Sequence, residues 1–182
     1  MQKEVTISGV GGQGMMLCGT MLAEAAAIHD HKKATLSSEY GTETRGTFAK
    51  SDVIVSDEEI FFPDVTDPDL VVCLHPIAYA RYTGTLDDRC VLIYDSDVVT
   101  PDPAQAAHEI GVPISKTALE VGHPQTANIV TMGIISGYLD LIGVEGAHQR
   151  IADFFERKGE KLVNMNKKAF DTGYAIGEGL KK

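Results

Sequence analysis

The segment GVGGQG, Gly9 to Gly14, follows the β-type run EVTIS and precedes the Ala-, Leu- and Met-rich MMLCGTMLAEAAAIH. That order prescribes a strand, a tight glycine turn and a helix. Gly9, Gly11 and Gly14 match G-x-G-x-x-G in the context the pattern requires. The first N–H groups of a helix have no intrahelical partner. The helix dipole adds about half a positive charge at that end. Glycines let an anion approach the backbone without Cβ contacts. The loop is therefore a candidate phosphate site, and a tight turn that binds nothing is the alternative.

The rest of the chain alternates apolar runs with helical patterns. Strands are expected at Val5–Val10, Ala34–Ser38, Phe48–Ser56, Leu70–His75, Cys90–Asp95 and Val112–Ser115. Helices are expected from Gly14 to about His29 and at Ile77–Tyr82, Ala104–Ile110, Ala127–Ile142, Glu145–Lys158 and Lys167–Leu180. Such alternation predicts a three-layer, Rossmann-like α/β domain with a mostly parallel sheet and a helical carboxyl-terminal third. No repeat or linker divides it, so residues 1–182 read as a single domain.

A dinucleotide site calls for an acid at the end of the second strand, about 20 residues past the glycines. Glu39 stands at the strand end but beyond that offset. Asp30 fits the offset better but falls in the HDHKK turn. Gly12 and Gln13 are unexplained by a nicotinamide site. The net charge of −10 argues against nonspecific binding to nucleic acid or an anionic membrane. Three scattered cysteines, Cys18, Cys73 and Cys90, and an amino terminus without signal-peptide character lead to the expectation of a cytoplasmic protein. No CxxC pair occurs, so neither a zinc ribbon nor an iron–sulfur cluster is expected on this chain.

The second unusual stretch is SSEYGTETRGTF, Ser37 to Phe48, which places Tyr40, Gly41, Glu43, Arg45 and Gly46 in one turn. After the second strand of a parallel sheet, that turn is expected beside the first loop. Arg45 is a candidate partner for a phosphate or carboxylate, and Tyr40 for a ring. In the alternative, Arg45 pairs with Glu43 and the glycines only shape the turn.

GVGGQGMMLCGTMLAEAA followed by EYGTETRGT resembles the gamma subunit or domain of the 2-oxoacid:ferredoxin oxidoreductases, which act on pyruvate, 2-oxoglutarate, 2-oxoisovalerate or indolepyruvate. The family's GxGGQG corresponds to Gly9, Gly11, Gly12, Gln13 and Gly14. Its YGxExRGG corresponds to Tyr40, Gly41, Glu43, Arg45 and Gly46. HPQTANIVTMGIISGYL supplies the family's helix start, with Asn128 in place. Thr47 stands where the family often has a second glycine, and its Cβ bears on how closely a ligand or partner approaches.

The resemblance implies a subunit of a complex that oxidatively decarboxylates a 2-oxoacid with coenzyme A, giving acyl-CoA, carbon dioxide and reduced ferredoxin. The chain's opening and length incline to the 2-oxoglutarate enzymes. Coenzyme A is the expected ligand, with Gly9, Gly11, Gly12, Gln13, Gly14, Tyr40, Glu43, Arg45, Gly46 and Asn128 as candidate contacts. Thiamine diphosphate, Mg2+ and iron–sulfur clusters are expected on the partner alpha and beta subunits, and a delta subunit where one is present. Ferredoxin is the expected electron acceptor. No catalytic or metal-binding residue is expected here. A stand-alone nucleotide-binding or NAD-dependent oxidoreductase is one alternative; a purely structural subunit is another.

Several residues invite chemistry with a plainer role available. His29, Asp30 and His31 read as a solvated turn, and His75 and His123 as loop histidines. Asn128 is either a helix cap or a ligand contact. Met15, Met16, Cys18 and Met21 read as core. Tyr79, Arg81 and Tyr82 are candidates for a site or a subunit contact.

Overall fold

In the computed structural model, residues 1–42, 46–105 and 109–181 are described. Six strands form one sheet: β1 Gln2–Val10, β2 Lys33–Tyr40, β3 Phe48–Ser56, β4 Leu70–Cys73, β5 Val91–Asp95 and β6 Glu109–Val112. The helices are α1 Met15–Glu24, α2 Pro76–Tyr82, α3 Ile114–Val121, α4 Ala127–Leu139, α5 Val144–Phe155 and α6 Glu160–Leu180. The order across the sheet is β2-β3-β1-β4-β5-β6. The expected α/β class is observed. The β1–β4, β4–β5 and β5–β6 pairs are parallel.

The first correction concerns β3. It runs antiparallel to both β1 and β2, with Val5 opposite Val53 and Leu36 opposite Val53 on the other side. The link from β2 to β3 is too short for a crossover, so the two strands form a hairpin. β2 therefore points the same way as β1 but lies one strand further out.

Alternate residues of the central strands serve two cores. Leu70 and Val72 of β4 join Val5, Ile7, Cys18 and Met21 in the larger core; Val71 and Cys73 join Ala78 and Tyr79 in the smaller one. Period-two alternation sends them to opposite faces, with α1 on one and α2 on the other. Each fully buried Val, Leu or Ile contributes roughly 1.5–3 kcal/mol. Met15, Cys18 and Met21 are buried as expected, whereas Met16 is only partly so.

Other boundaries differ from expectation: β1 already begins at Gln2, β4 ends at Cys73 and α4 at Leu139. Val112 ends β6 rather than beginning a strand, because Pro113 turns the chain into α3. Glu109 and Ile110 belong to β6, and Ala106, Ala107 and His108 of the expected helix lie outside the described residues. The first helix widens into a π turn over Ala25–His29. The last helix starts at Glu160.

His31 is exposed as expected, but His29 and Asp30 are not merely solvated. Asp30 Oδ2 accepts from the Gly143 N–H at 2.6 Å, at the start of α5, and His29 Nε2 stands 3.5 Å from Asp153 Oδ2, near the end of that helix. α4 is buried from Asn128 to Gly137, with α1 and α3 as neighbours and α6 against it. Its Gly133 and Gly137 meet Gly173 and Gly177 of α6. A Cβ at Gly133 or Gly137 would collide with the backbone oxygen of Phe170 or Tyr174. The two backbones approach in the way small-residue pairs permit.

Candidate functional site

The glycine turn leaves the carboxyl end of β1 at the centre of the sheet, the region where open α/β sheets bind ligands. Gly12 and Gly14 have φ of 98° and 78°, which an L side chain rarely adopts. The first bond in α1 is from Cys18 N–H to the Gly14 oxygen at 3.0 Å. The N–H groups of Gly12, Gly14 and Met15 are unpaired among the described residues.

Gln13 folds inward. Its Oε1 accepts from the Val10 N–H at 2.9 Å and its Nε2 donates to the Leu74 oxygen at 2.8 Å. The amide thus ties the end of β1 to the end of β4. Gly9 exists for it: a Cβ there would run into Gln13 Oε1 and come within 2.7 Å of Met15 Sδ. Gln13 holds the loop's shape with both ends of its amide.

The second turn sits where expected, because β2 and β1 point the same way. The Gly11 N–H donates to the Thr47 oxygen at 3.1 Å, and the Gly41 N–H to the Phe48 oxygen at 3.0 Å. Thr47 Oγ1 would be 2.6 Å from a Cβ at Gly41, so this threonine packs within its own turn. Tyr40 is 61% exposed and Gly46 has a φ of 76°. Glu43 and Arg45 lie outside the described residues. Glu39 is separated from the glycine loop by β3 and its carboxylate is 4.0 Å from Lys50. It does not occupy the place of a ribose-binding acid, which belongs on the strand next to β1.

A cavity of about 560 Å³ opens on the glycine turn, lined among others by Gly12, Gln13, Gly14 and Asn128. Asn128 is the candidate that tertiary structure brings onto the loop. It is 7% exposed, and its Nδ2 would be 2.7 Å from a Cβ at Gly14. It does not cap α4, whose first turn has no side-chain cap. Its amide makes no hydrogen bond among the described residues.

Asp95, at the end of β5, also reaches the cavity but is committed. Its Oδ1 accepts from the N–H groups of Asp97 and Ile114 at 3.1 Å and of Ser115 at 3.3 Å; its Oδ2 accepts from Ser115 Oγ at 2.5 Å. This carboxylate fills the anion position at the start of α3 from within. His75 and His123 each precede a proline that opens a helical turn. Their Nδ1 atoms accept from the Ile77 and Gln125 N–H groups at 3.2 and 3.1 Å. They are caps.

Residues not singled out from the sequence complete the cavity: Phe154, Lys158 and Asn166. They come from α5, α6 and the short turn between them, and nothing in their local pattern announces a site. The acid at the end of CVLIYD was the one legible signal, since strand ends reach this edge.

The other cavity, about 740 Å³, lies at the start of β5 and β6. It is larger but lined by Asp87, Asp88 and Glu109, a poor environment for an anion. Glu109 is bonded to Tyr79 Oη at 2.5 Å and Thr83 Oγ1 at 2.7 Å, Tyr82 lines the same cavity, and Arg81 covers the Phe48 ring at 4.0 Å. Burial pushes the Cys73 thiol up to about 12 and Cys90 up to about 11, and raises Cys18 further. None is poised as a thiolate near neutral pH. Among the described residues no group of three or more His, Cys, Asp or Glu is arranged to hold a metal ion. No described helix is long and apolar enough to cross a membrane.

Comparison with known proteins places this geometry in context. The pyruvate ferredoxin/flavodoxin oxidoreductase family model matches residues 4–176. The 2-oxoglutarate synthase subunit KorC of Methanocaldococcus jannaschii is 36% identical over 99% of this chain and 96% of its own. The solved gamma subunit of a keto/oxoacid ferredoxin oxidoreductase from Geobacter sulfurreducens superposes with a TM-score of 0.80 at 35% identity, covering 97% of this chain and 99% of that one. In the 2-oxoglutarate:ferredoxin oxidoreductase from Magnetococcus marinus, solved with 2-oxoglutarate, coenzyme A and succinyl-CoA bound, the same fold makes up 32% of a longer chain. The TM-score there is 0.89, at 24% identity over 100% of this chain.

Proposed function

The chain belongs to the pyruvate ferredoxin/flavodoxin oxidoreductase family, as a gamma subunit of a 2-oxoacid:ferredoxin oxidoreductase complex, and from that premise we propose that its complex converts 2-oxoglutarate to succinyl-CoA while this chain holds part of coenzyme A. The substrate choice rests on the similarity to 2-oxoglutarate synthase subunits. One observation carries the coenzyme A reading. The amide of Asn128 and the N–H groups of Gly12 and Gly14, all without a hydrogen-bond partner among the described residues, face one cavity, and a phosphate oxygen would satisfy them.

In this reading the chain binds and orients rather than reacts. Gly12 and Gly14 bring backbone donors to the phosphate, Asn128 adds a side-chain donor, and Gln13 keeps the turn rigid. Glu43 and Arg45 follow Tyr40 in the sequence and stay candidate contacts in the same proposal, Arg45 as the cationic one. Thiamine diphosphate with Mg2+ supplies carbanion chemistry and iron–sulfur clusters carry electrons to ferredoxin, all on the alpha, beta or delta partners. The complex works in the cytoplasm, in keeping with three free thiols.

The 560 Å³ cavity suits a nucleotide-sized fragment rather than the whole of coenzyme A. The pantetheine arm then leaves it toward the subunit that carries the reacting carbon. Calorimetric titration of the purified complex tests the proposal. Coenzyme A binds, NAD does not, and Asn128→Ala weakens coenzyme A by roughly tenfold, the scale of one lost hydrogen bond to a charged group. Tight NAD binding without coenzyme A binding would return the chain to the nucleotide-oxidoreductase reading. Unchanged coenzyme A affinity in Asn128→Ala would leave it a structural subunit.

A further inference from the structure

The sheet ends in β2 on one side and β6 on the other. β6 is four residues long and stops at Pro113. β2 is eight residues long, contains no proline and keeps an unbroken register with β3, so no bulge blunts it. The bond from the Gly41 N–H to the Phe48 oxygen fixes which of its backbone groups are in use. Hydrogen-bonded pairs alternate along an antiparallel ladder, so those with β3 fall on Lys33, Thr35, Ser37 and Glu39. The N–H and C=O groups of Ala34, Leu36, Ser38 and Tyr40 point away from the sheet, where no strand follows among the described residues.

An edge of this kind accepts another strand. Across a two-fold axis it accepts itself, antiparallel. The outward groups must then face one another, and charge selects among the registers that allow it. With Leu36 opposite Leu36 of a second copy, Ala34 faces Ser38, Thr35 faces Ser37, and Lys33 faces Glu39 on both sides of the axis. Centring on Ser37 instead sets Thr35 against Glu39 and loses both charge pairs. Lys33 is already 3.0 Å from Glu59, and Glu39 is 4.0 Å from Lys50. The junction therefore joins a row of alternating sign: Glu59, Lys33, then Glu39 and Lys50 of the second copy. On the opposite face, Leu36 is 37% exposed, and so is 58% of Ile28 in the π turn packed on β2. The axis places this apolar pair against its own copy. α1 packs on β1, β2 and β3, which leaves the α1 helices of the two copies about 10 Å or more apart, the spacing of packed helices.

We propose that β2 is a homotypic contact, through which two gamma chains join edge to edge in the register centred on Leu36. One sheet then runs through both copies. The contact lies at the small end of protein interfaces, so the dimer forms in a concentration-dependent way. It does not depend on which ligand the cavity takes.

Sedimentation equilibrium of the full-length chain over a concentration series tests it. The wild-type chain dimerises reversibly. Lys33→Glu and Glu39→Lys each weaken the dimer roughly tenfold, because each turns two attractive pairs into repulsive ones. An equimolar mixture of the two variants regains the wild-type affinity, since every charge pair across the mixed junction is again of opposite sign. Leu36→Cys, oxidised in the purified complex, links gamma chain to gamma chain, because facing residues of a hydrogen-bonded pair have Cα atoms about 5.5 Å apart. Ser38→Cys, four residues out of register with its own copy, does not. A chain monomeric at every concentration, a dimer insensitive to both charge reversals, or a mixture that stays dissociated would overturn the contact. So would a Leu36→Cys chain that links to another subunit or to none. Each of these outcomes leaves the coenzyme A reading as it stands.

Discussion

Gln13 donates from Nε2 to the main-chain oxygen of Leu74 at 2.8 Å, across the gap between the ends of β1 and β4. The same amide accepts from Val10, so one side chain fixes both the loop and the neighbouring strand end. Its removal leaves two partly buried backbone groups unpaired. Gln13→Ala is expected to cost about 2 kcal/mol. A melting curve of the isolated chain measures it, and an unchanged midpoint would mean that water replaces the amide without loss.

Gly12 and Gly14 separate strain from collision. A Cβ at Gly12 meets nothing within 4 Å, whereas one at Gly14 comes within 2.7 Å of Asn128 Nδ2. Gly12→Ala pays only for its positive φ, about 1–2 kcal/mol. Gly14→Ala pays the same and also displaces Asn128. It should therefore lose more stability and more ligand affinity. Equal losses in both variants would contradict the role given to Asn128.

The contact of α4 with α6 inverts the usual effect of alanine in a helix. Exposed Gly→Ala changes gain up to about 1 kcal/mol. At Gly137 the new methyl would strike the Tyr174 oxygen, a backbone atom that no rotamer change can move. Gly137→Ala is expected to lose about 2–3 kcal/mol, near 5–10 °C in melting temperature. Gly179→Ala, with nothing within 4 Å, is the control and should not destabilise.

Phe61 is 95% exposed and Phe62 60%, side by side in the crossover before β4. Neighbouring exposed rings mark a contact surface. Phe61→Ser with Phe62→Ser should leave the isolated chain's stability within about 0.5 kcal/mol, as surface changes usually do. It should lower the yield of gamma chain recovered with its partners on size-exclusion chromatography. Normal recovery would place the interface elsewhere.

Burial raises Cys73 and Tyr82 to about 12 and Cys90 to about 11. Free thiols titrate near 8.5 and phenols near 10. Above the ordinary thiol value the unfolded chain releases protons that the folded chain retains, so stability falls as pH rises. The contribution is fully present below about pH 8.5. Denaturant midpoints measured from pH 7.5 to 10.5 should be level at first and then decline. A flat profile would show that these groups titrate alike in both states.

Local chemistry made much of the molecule legible before tertiary structure entered. The strand–turn–helix of Gly9 to Gly14 follows from glycine's freedom at φ above zero and from the apolar pattern on either side. β3 appears with the expected bounds, because FAKSDVIVS is β-branched and bounded by turns. The adjacency of the two glycine turns was also legible, since it needs only that β1 and β2 point the same way.

Orientation and convergence were not. Nothing in Phe48–Ser56 states that β3 inserts antiparallel between β2 and β1, because a strand's own sequence does not name its neighbour. Gln13 reads in the sequence as a ligand contact, but in the fold the Leu74 oxygen claims its amide. Asn128 reads in the sequence as either a cap or a ligand contact, and only the packing of α4 sets it against Gly14. Lys158 and Phe154 carried no signal at all: they reach the cavity only because α5 and α6 fold back beside α4. Backbone conformation is set by a few adjacent residues and is therefore written in order along the chain. A binding cavity is made of groups distant in sequence, and only the packing that buries α4 decides which of them meet.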